Sequence, residues 1–273
     1  MFPGSKAVKS TAKAMLKNNW IVAITTAIIP VFLFVGLDCI IGSLKYLLND
    51  TIVTVYLLVI YYILLFMVML PICLGVLKVF VNISDGKKFD FYEIFYYFSS
   101  AKQYHRAVLL IGCFVLKVFS AAIALILFSY AVGGAAKYIL SLASGTQPVV
   151  WLDNLWVFST LIKCIAAVSI VLRIIKFYGT PYIFVNNDYI SPVDAMNLSN
   201  TVSAKSSVDF IFLLFSMIHI IVLTVFVVPA PFTLPYLIMA YVVHSKYAVN
   251  YYNQDAAKNQ NTISSNYGYG YKR

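Results

Sequence analysis

Charge is what this chain has least of. Charged residues make up 11% of its 273 positions, and only ten of them are acidic, where a soluble domain carries about 25% charged residues. Hydrophobic residues make up 62%, with a mean hydropathy of +0.86. No soluble fold hides so much apolar surface. The missing motifs exclude chemistry as well. No HExxH, GxSxG or paired intramembrane aspartate occurs, so a hydrolase would lack its nucleophile and base or its metal. No GxxxxGK[ST] phosphate loop is present to drive a pump.

Cysteine is equally sparse. Cys39, Cys73, Cys113 and Cys164 fall inside apolar runs, with no CxxC pair and no His or carboxylate at ligand spacing. They read as small buried hydrophobes, and neither a metal nor any other cofactor is expected. The opening MFPGSKAVKSTAKAMLKNNW lacks the apolar core and small-residue cleavage site of a signal peptide, so the first span is expected to direct its own insertion.

What the chain has instead is apolar runs of roughly twenty residues, the length at which a helix crosses about 30 Å of hydrocarbon. Runs such as FIFLLFSMIHIIVLTVFVV are apolar on every side, unlike the alternating segments of about ten residues in a membrane barrel. The expected fold class is all-α: a polytopic membrane protein of six transmembrane helices with short cytoplasmic interfacial helices. The spans are Trp20–Ile41, Ile52–Phe80, Val108–Tyr130, Leu155–Ile175, Val208–Val228 and Thr233–Tyr251. The domain plan is a basic amphipathic segment over 1–19, the six-span region over 20–251 and a disordered polar tail over 252–273. Pro71 is the natural kink of the overlong second span. Prolines 229, 231 and 235 suit the end of one helix and the start of the next better than a broken helix around a site.

Orientation follows from the cations. One set of flanks holds Lys6, Lys9, Lys13, Lys17, Lys78, Lys87, Lys88, Lys102, Arg106, Arg173, Lys176, Lys205, Lys246, Lys258, Lys272 and Arg273; the opposite loops hold Lys45 and Lys137. Six crossings with both termini cytoplasmic put nearly all of these charges on one side. The net charge of +10 then lies against anionic headgroups, each cation attracted by about 1 kcal/mol. Nucleic acid is not an expected partner.

The flanking segments carry their own signals. Val8, Ala12, Met15 and Leu16 share one face of a basic helix over Ser5–Asn19, which suits the membrane interface. SDGKKFDFYEIFYYFSSAKQYHR turns at Asp85-Gly86 and then runs into Phe and Tyr, rings that belong at headgroup depth. In ISPVDAMNLSNTVSA, Ser191 can N-cap, Pro192 suits the first helical position and Asp194 the positive helix end, which predicts a short surface helix. The outer loops GSLKYLLND, AVGGAAKYILSLASGTQPVVWLDN and PAPFTLP are too small for an external binding domain. FVNISDGKKFDFYEIF and FVNNDYISPVDAMNL share Phe-Val-Asn, a nearby Asp and then a short helix. Chance and a duplicated hairpin both remain open.

AKAMLKNNWIVAI, LPICLGVLKVFVNISDGKKFDFYEIF, RIIKFYGTPYIFVNNDYISPVDAMNLS and the closing LPYLIMAYVVHSKYAVNYY, in this order, resemble an uncharacterised bacterial membrane family catalogued as domain of unknown function 975. The resemblance covers most of the chain up to the tail. It implies a multi-span plasma-membrane protein and supplies no activity.

Ionisable residues at membrane depth are the functional leads. Lys117 lies about nine residues into its span, roughly 14 Å at helical rise. Lys163 and His219 reach similar depths, while Asp38 is near the outer end of the first span. A central Lys costs about 2.5–3.5 kcal/mol, and each Leu, Ile, Phe or Val returns about 0.3–0.6, so the third span inserts whether or not Lys117 has work to do. Each amine can snorkel or meet carbonyls and hydroxyls such as Ser120 or Ser159. Alternatively, Lys117, Lys163 and His219 converge on a cavity for an anionic headgroup or amphipathic acid. The preferred functional reading is a non-enzymatic envelope or accessory protein engaging anionic lipid or a membrane-protein partner. A small transporter or channel-like protein comes second, and an intramembrane enzyme last.

Overall fold

The structure is a computed structural model that describes the chain except residues 1–2, 49–50, 89, 143–149, 227 and 267–273. The described residues contain helices and no strand. They divide into two compact units, Met1–Leu110 with Gly179–Arg273, and Ile111–Tyr178.

The first unit begins with α1 (Ser5–Leu16) and α2 (Trp20–Leu48), followed by α3 (Thr51–Leu64), a π turn (Leu65–Met69) and α4 (Leu70–Ser84). Where a kink at Pro71 was expected, the structure shows a change in the hydrogen-bond ladder, the π turn just before the proline. Pro71 has no N–H to give, and its ring presses on the carbonyl four residues earlier, that of Met67. The ladder widens there into the π turn, and the Tyr104 hydroxyl donates to the Met67 carbonyl at 3.1 Å.

The π turn also divides this stretch by environment. Large side chains of α3 such as Ile52, Tyr56 and Tyr62 face outward, whereas Ile72, Val76, Val79, Phe80 and Val81 of α4 are buried. Packed around α4 are α1, α2, a 3₁₀ helix (Phe91–Phe98), α7 (Thr180–Asn186) and α10 (Ala230–Asn266). Gly75 permits the closest of these approaches, because a Cβ there would stand 1.9 Å from the Ile94 carbonyl oxygen. At its far end α4 closes in a Schellman motif. Lys87 N–H donates to the Asn82 carbonyl and Gly86 N–H to that of Ile83, with Gly86 at φ 65°.

Three further expectations meet the structure as follows. Ser191 does cap the helix ahead of it, its Oγ accepting Asp194 N–H at 3.1 Å and donating to the Asp194 carboxylate at 2.6 Å. The helix is not a short surface piece, however: α8 runs over Pro192–Ser216, because nothing in its apolar second half terminates it before Met217, where α9 (Ile218–Thr224) departs at 59°. The N-terminal helix forms, but it docks on α10, α8 and α4, with Val8, Ala12 and Leu16 at 0% exposure. Last, α10 continues to Asn266, into the polar segment expected to be disordered; residues 267–273 of that segment lie outside the described residues.

The second unit is the continuation of α5 (Ala101–Leu142) beyond Leu110, with α6 (Val150–Lys176). These helices occupy much of what reads as a long outer loop. The Ser129 and Ser159 hydroxyls join them at 2.7 Å, the small-hydroxyl contact that lets membrane helices approach.

Among the described residues, three stretches are long and apolar enough to cross a membrane: Trp20–Leu44, Ile52–Ser84 and Ala101–Val132. The bent pair α8–α9 makes a fourth if it is one span. Among the described residues, α10, where the sixth span was expected, does not qualify, its apolar run cut by His244 and Lys246, and neither does the part of α6 from residue 159 onward, where the fourth was expected, which carries Lys163, Arg173 and Lys176. The cysteine expectation is corrected too. All four thiols are free, but Cys39, Cys73 and Cys164 face outward from their helices, among the exposed Ile, Phe and Leu side chains.

Candidate functional site

The three ionisable residues expected at membrane depth are placed as follows. In the second unit, Lys117 Nζ stands 5.8 Å from the Phe177 ring and Lys163 Nζ 5.3 Å from the Tyr130 ring, within reach of a cation–π attraction. Lys117 and Tyr130 both belong to α5, roughly 20 Å apart at helical rise. The two lysines are therefore not brought together. The hydroxyls expected to receive them are otherwise engaged: Ser120 Oγ accepts Arg173 at 3.2 Å, and Ser159 pairs with Ser129. Arg173 also donates to the Lys117 carbonyl. His219 belongs to the first unit, exposed on α9.

The polar convergence that the structure does show lies in the first unit, where α4 and α7 end. Each of the two Phe-Val-Asn segments is followed by an aspartate that takes a lysine from another helix. Asp85 accepts Lys246 at 2.6 Å and Lys87 at 3.0 Å, while Lys246 also donates to the Ser84 carbonyl at 2.9 Å. Asp188 accepts Lys78 at 2.9 Å. The Lys78 ammonium also lies 3.3 Å from the centre of the Tyr96 ring, so ring and carboxylate share one cation. Next to it, Arg106 donates to the Ile190 carbonyl at 2.8 Å and lies over Phe184, on which Tyr97 stacks. Asn82 donates to Glu93 at 2.7 Å, tying the end of α4 to the 3₁₀ helix.

The protonation states follow from these contacts. Burial by itself raises the Asp85 carboxyl, but hydrogen bonds from Lys246 and Lys87, and their charges, outweigh it and hold the group below its ordinary value. Burial and a hydrogen bond to Asp188 push the Tyr96 phenol up to about 12. Burial raises Tyr97 and Tyr182 as well. At neutral pH Asp85 is charged and the three phenols keep their protons, so none of these phenols serves as a base. Among the described residues no group of His, Cys, Asp and Glu is placed to hold a metal ion. The network fixes two loops and, through them, the 3₁₀ helix.

That helix is amphipathic in an unusual sense. Ile94 and Tyr97 are 1% exposed and seat it on α4, while Phe91, Tyr92, Phe95 and Phe98 point away, Tyr92 at 81%. Exposed Lys87 and Lys88 precede it and exposed Lys102 follows. Sequence reasoning found the aromatic run but not the network beneath it. The only local signal was the aspartate after each Phe-Val-Asn; Lys78 and Lys246 read as topology charges alone.

The fold and this site thus define an all-helical protein with several apolar helices long enough to cross a membrane. No family model, curated protein or solved structure matches the chain.

Proposed function

We propose that the chain is a non-enzymatic, multi-pass accessory protein of the bacterial plasma membrane, akin to the family of domain of unknown function 975, that engages anionic lipid headgroups on its cytoplasmic side. The observation that carries this reading is the outward aromatic face of the 3₁₀ helix with lysines at both ends. Phe and Tyr rings favour headgroup depth, and each nearby Lys adds about 1 kcal/mol of attraction to an anionic leaflet.

The six-crossing layout, with both termini cytoplasmic, is part of the proposal. Supporting it are antiparallel pairings between successive apolar segments. α2 packs on α3. Ser120 and Ser129 of α5 meet Arg173 and Ser159 of α6 in turn. Lys205, Phe210 and Thr224 meet Asp255, His244 and Thr233 in turn as α8 and α9 run back along α10.

The test is lipid retention by native mass spectrometry of the full chain in mixed phosphatidylglycerol and phosphatidylcholine micelles. Replacing Phe91, Tyr92 and Phe95 by Ser and Lys87, Lys88 and Lys102 by Gln should cut retained phosphatidylglycerol several-fold with phosphatidylcholine unchanged. Equal retention sinks the reading. The alternative, a carrier of an anionic solute, is favoured if Lys117→Leu with Lys163→Leu abolishes anion retention while the 3₁₀-helix variant keeps it, and if vesicles containing the protein show flux.

A further inference from the structure

The 59° break between α8 and α9 occurs in Leu213-Leu214-Phe215-Ser216-Met217-Ile218-His219, with neither proline nor glycine at hand. Sharp kinks have identifiable causes, and one is a side chain inserted into the hydrogen-bond ladder. In a continuous helix the Ser216 carbonyl would accept the Ile220 N–H. Here Ile220 and Ile221 both donate to the Met217 carbonyl, at 2.9 and 3.0 Å. The Ser216 carbonyl accepts Lys9 Nζ, at 3.3 Å. Two side chains thus enter the ladder at the break, the Ser216 hydroxyl, which donates to the Leu213 carbonyl at 2.8 Å, and Lys9, which comes from α1 and takes the carbonyl that Ile220 would use.

Three features make this a built contact. The ammonium sits at the C-terminal end of a 25-residue helix, where unsatisfied carbonyls and the helix dipole favour a cation. Lys6, Lys13 and Lys17 are exposed, whereas Lys9 is half-buried. The register of α1 is fixed by its fully buried Val8, Ala12 and Leu16 and by the Thr11 hydroxyl, 3.4 Å from that of Tyr247.

We propose that α1 is a strap and Lys9 its fastening. Docked, it occupies the Ser216 carbonyl and holds α8–α9 bent; released, it lets the Ile220 N–H return to that carbonyl, and the two helices straighten into one. A broken apolar helix becomes a two-state element whose equilibrium the N-terminal segment sets.

The experiment uses the full chain in lipid nanodiscs, its native cysteines replaced, with nitroxides on Thr201→Cys and Val222→Cys, both exposed positions on opposite sides of the break. Straightening lengthens their mean separation by about 3 Å, from helical rise and the observed bend. Lys9→Met keeps the stem and removes the donor, and should show the longer distance; Lys9→Arg keeps a donor and should restore the shorter one. Val8→Ala with Leu16→Ala loosens α1 while keeping Lys9, and should shift the distribution the same way as Lys9→Met; it carries the test if Lys9→Met yields no folded protein. A wild-type distance in every variant overturns the proposal, since the break would then be intrinsic to α8.

Discussion

At the scale of single residues, Gly75 and Asp85 carry the most checkable physics. A methyl group at position 75 would meet the backbone of Ile94, with its oxygen at 1.9 Å and its carbonyl carbon at 2.6 Å. No rotamer relieves a clash with backbone, so Gly75→Ala must push the 3₁₀ helix away from α4. The expected cost is about 1–3 kcal/mol, the range for overpacking. It should appear as a lowered thermal midpoint in detergent and as faster proteolysis between residues 85 and 100. Asp85 supplies a pH signature. Its folded value is depressed, so the stability it contributes is present above the ordinary carboxylate value of about 3.9 and lost as pH falls through the lower folded value. Stability should therefore decline below about pH 4. In Asp85→Asn that part of the acid dependence should vanish, with the protein about 1–2 kcal/mol less stable at pH 7, as befits a partly buried charged hydrogen bond. An unchanged acid limb in Asp85→Asn would remove Asp85 from this role.

At the scale of elements, the π turn before Pro71 shows what the sequence can and cannot announce. Proline's missing N–H is local, so a disturbed ladder at this point was legible; that Tyr104, from the next long helix, supplies the missing donor was not, because such a partner is chosen by tertiary packing. The coupling is measurable. Tyr104→Phe should cost about 1 kcal/mol through the unsatisfied Met67 carbonyl. In a Pro71→Ala background, where an N–H returns to the ladder, the same change should cost markedly less. A thermal double-mutant cycle reads this as a coupling of about 1 kcal/mol, and strict additivity would show the Tyr104 contact to be incidental. The same division runs through the other elements. The Ser191-Pro192-Asp194 cap was readable because capping involves neighbours in the chain. The amphipathic face of α1 was readable too, but not what it meets, since a bilayer interface and the buried side of α10 ask for the same spacing of Val8, Ala12 and Leu16. At the candidate site, the aromatic run stood out by composition. The ion pairs Lys78–Asp188 and Lys246–Asp85 join residues more than a hundred positions apart, and no local pattern encodes them.

At the scale of the whole molecule, the distribution of basic residues and the helical hairpins make a joint prediction about sidedness. If six segments cross, Lys13, Lys102 and Tyr189 share one compartment, and Tyr46 and Val228 share the other. All but Lys13 and Lys102 are large apolar or aromatic side chains exposed on the chain's surface, and the two lysines are exposed as well, so single cysteines at these five positions in an otherwise cysteine-free chain should be reachable. An impermeant maleimide added to sealed, oriented vesicles should label the first three from one face and the last two only after permeabilisation. The bent helix makes Val228 the most informative position. Should it label together with Lys13, α8–α9 and α10 form a re-entrant hairpin and the crossings fall to four, still an even number that leaves the two termini together. Should Lys102 and Tyr189 separate, the α5–α6 segment crosses an odd number of times. The charge argument then fails, because Lys176 and Lys205 would lie opposite Lys87 and Lys88, and the aromatic face of the 3₁₀ helix could not share a leaflet with the loop that Asp188 pins.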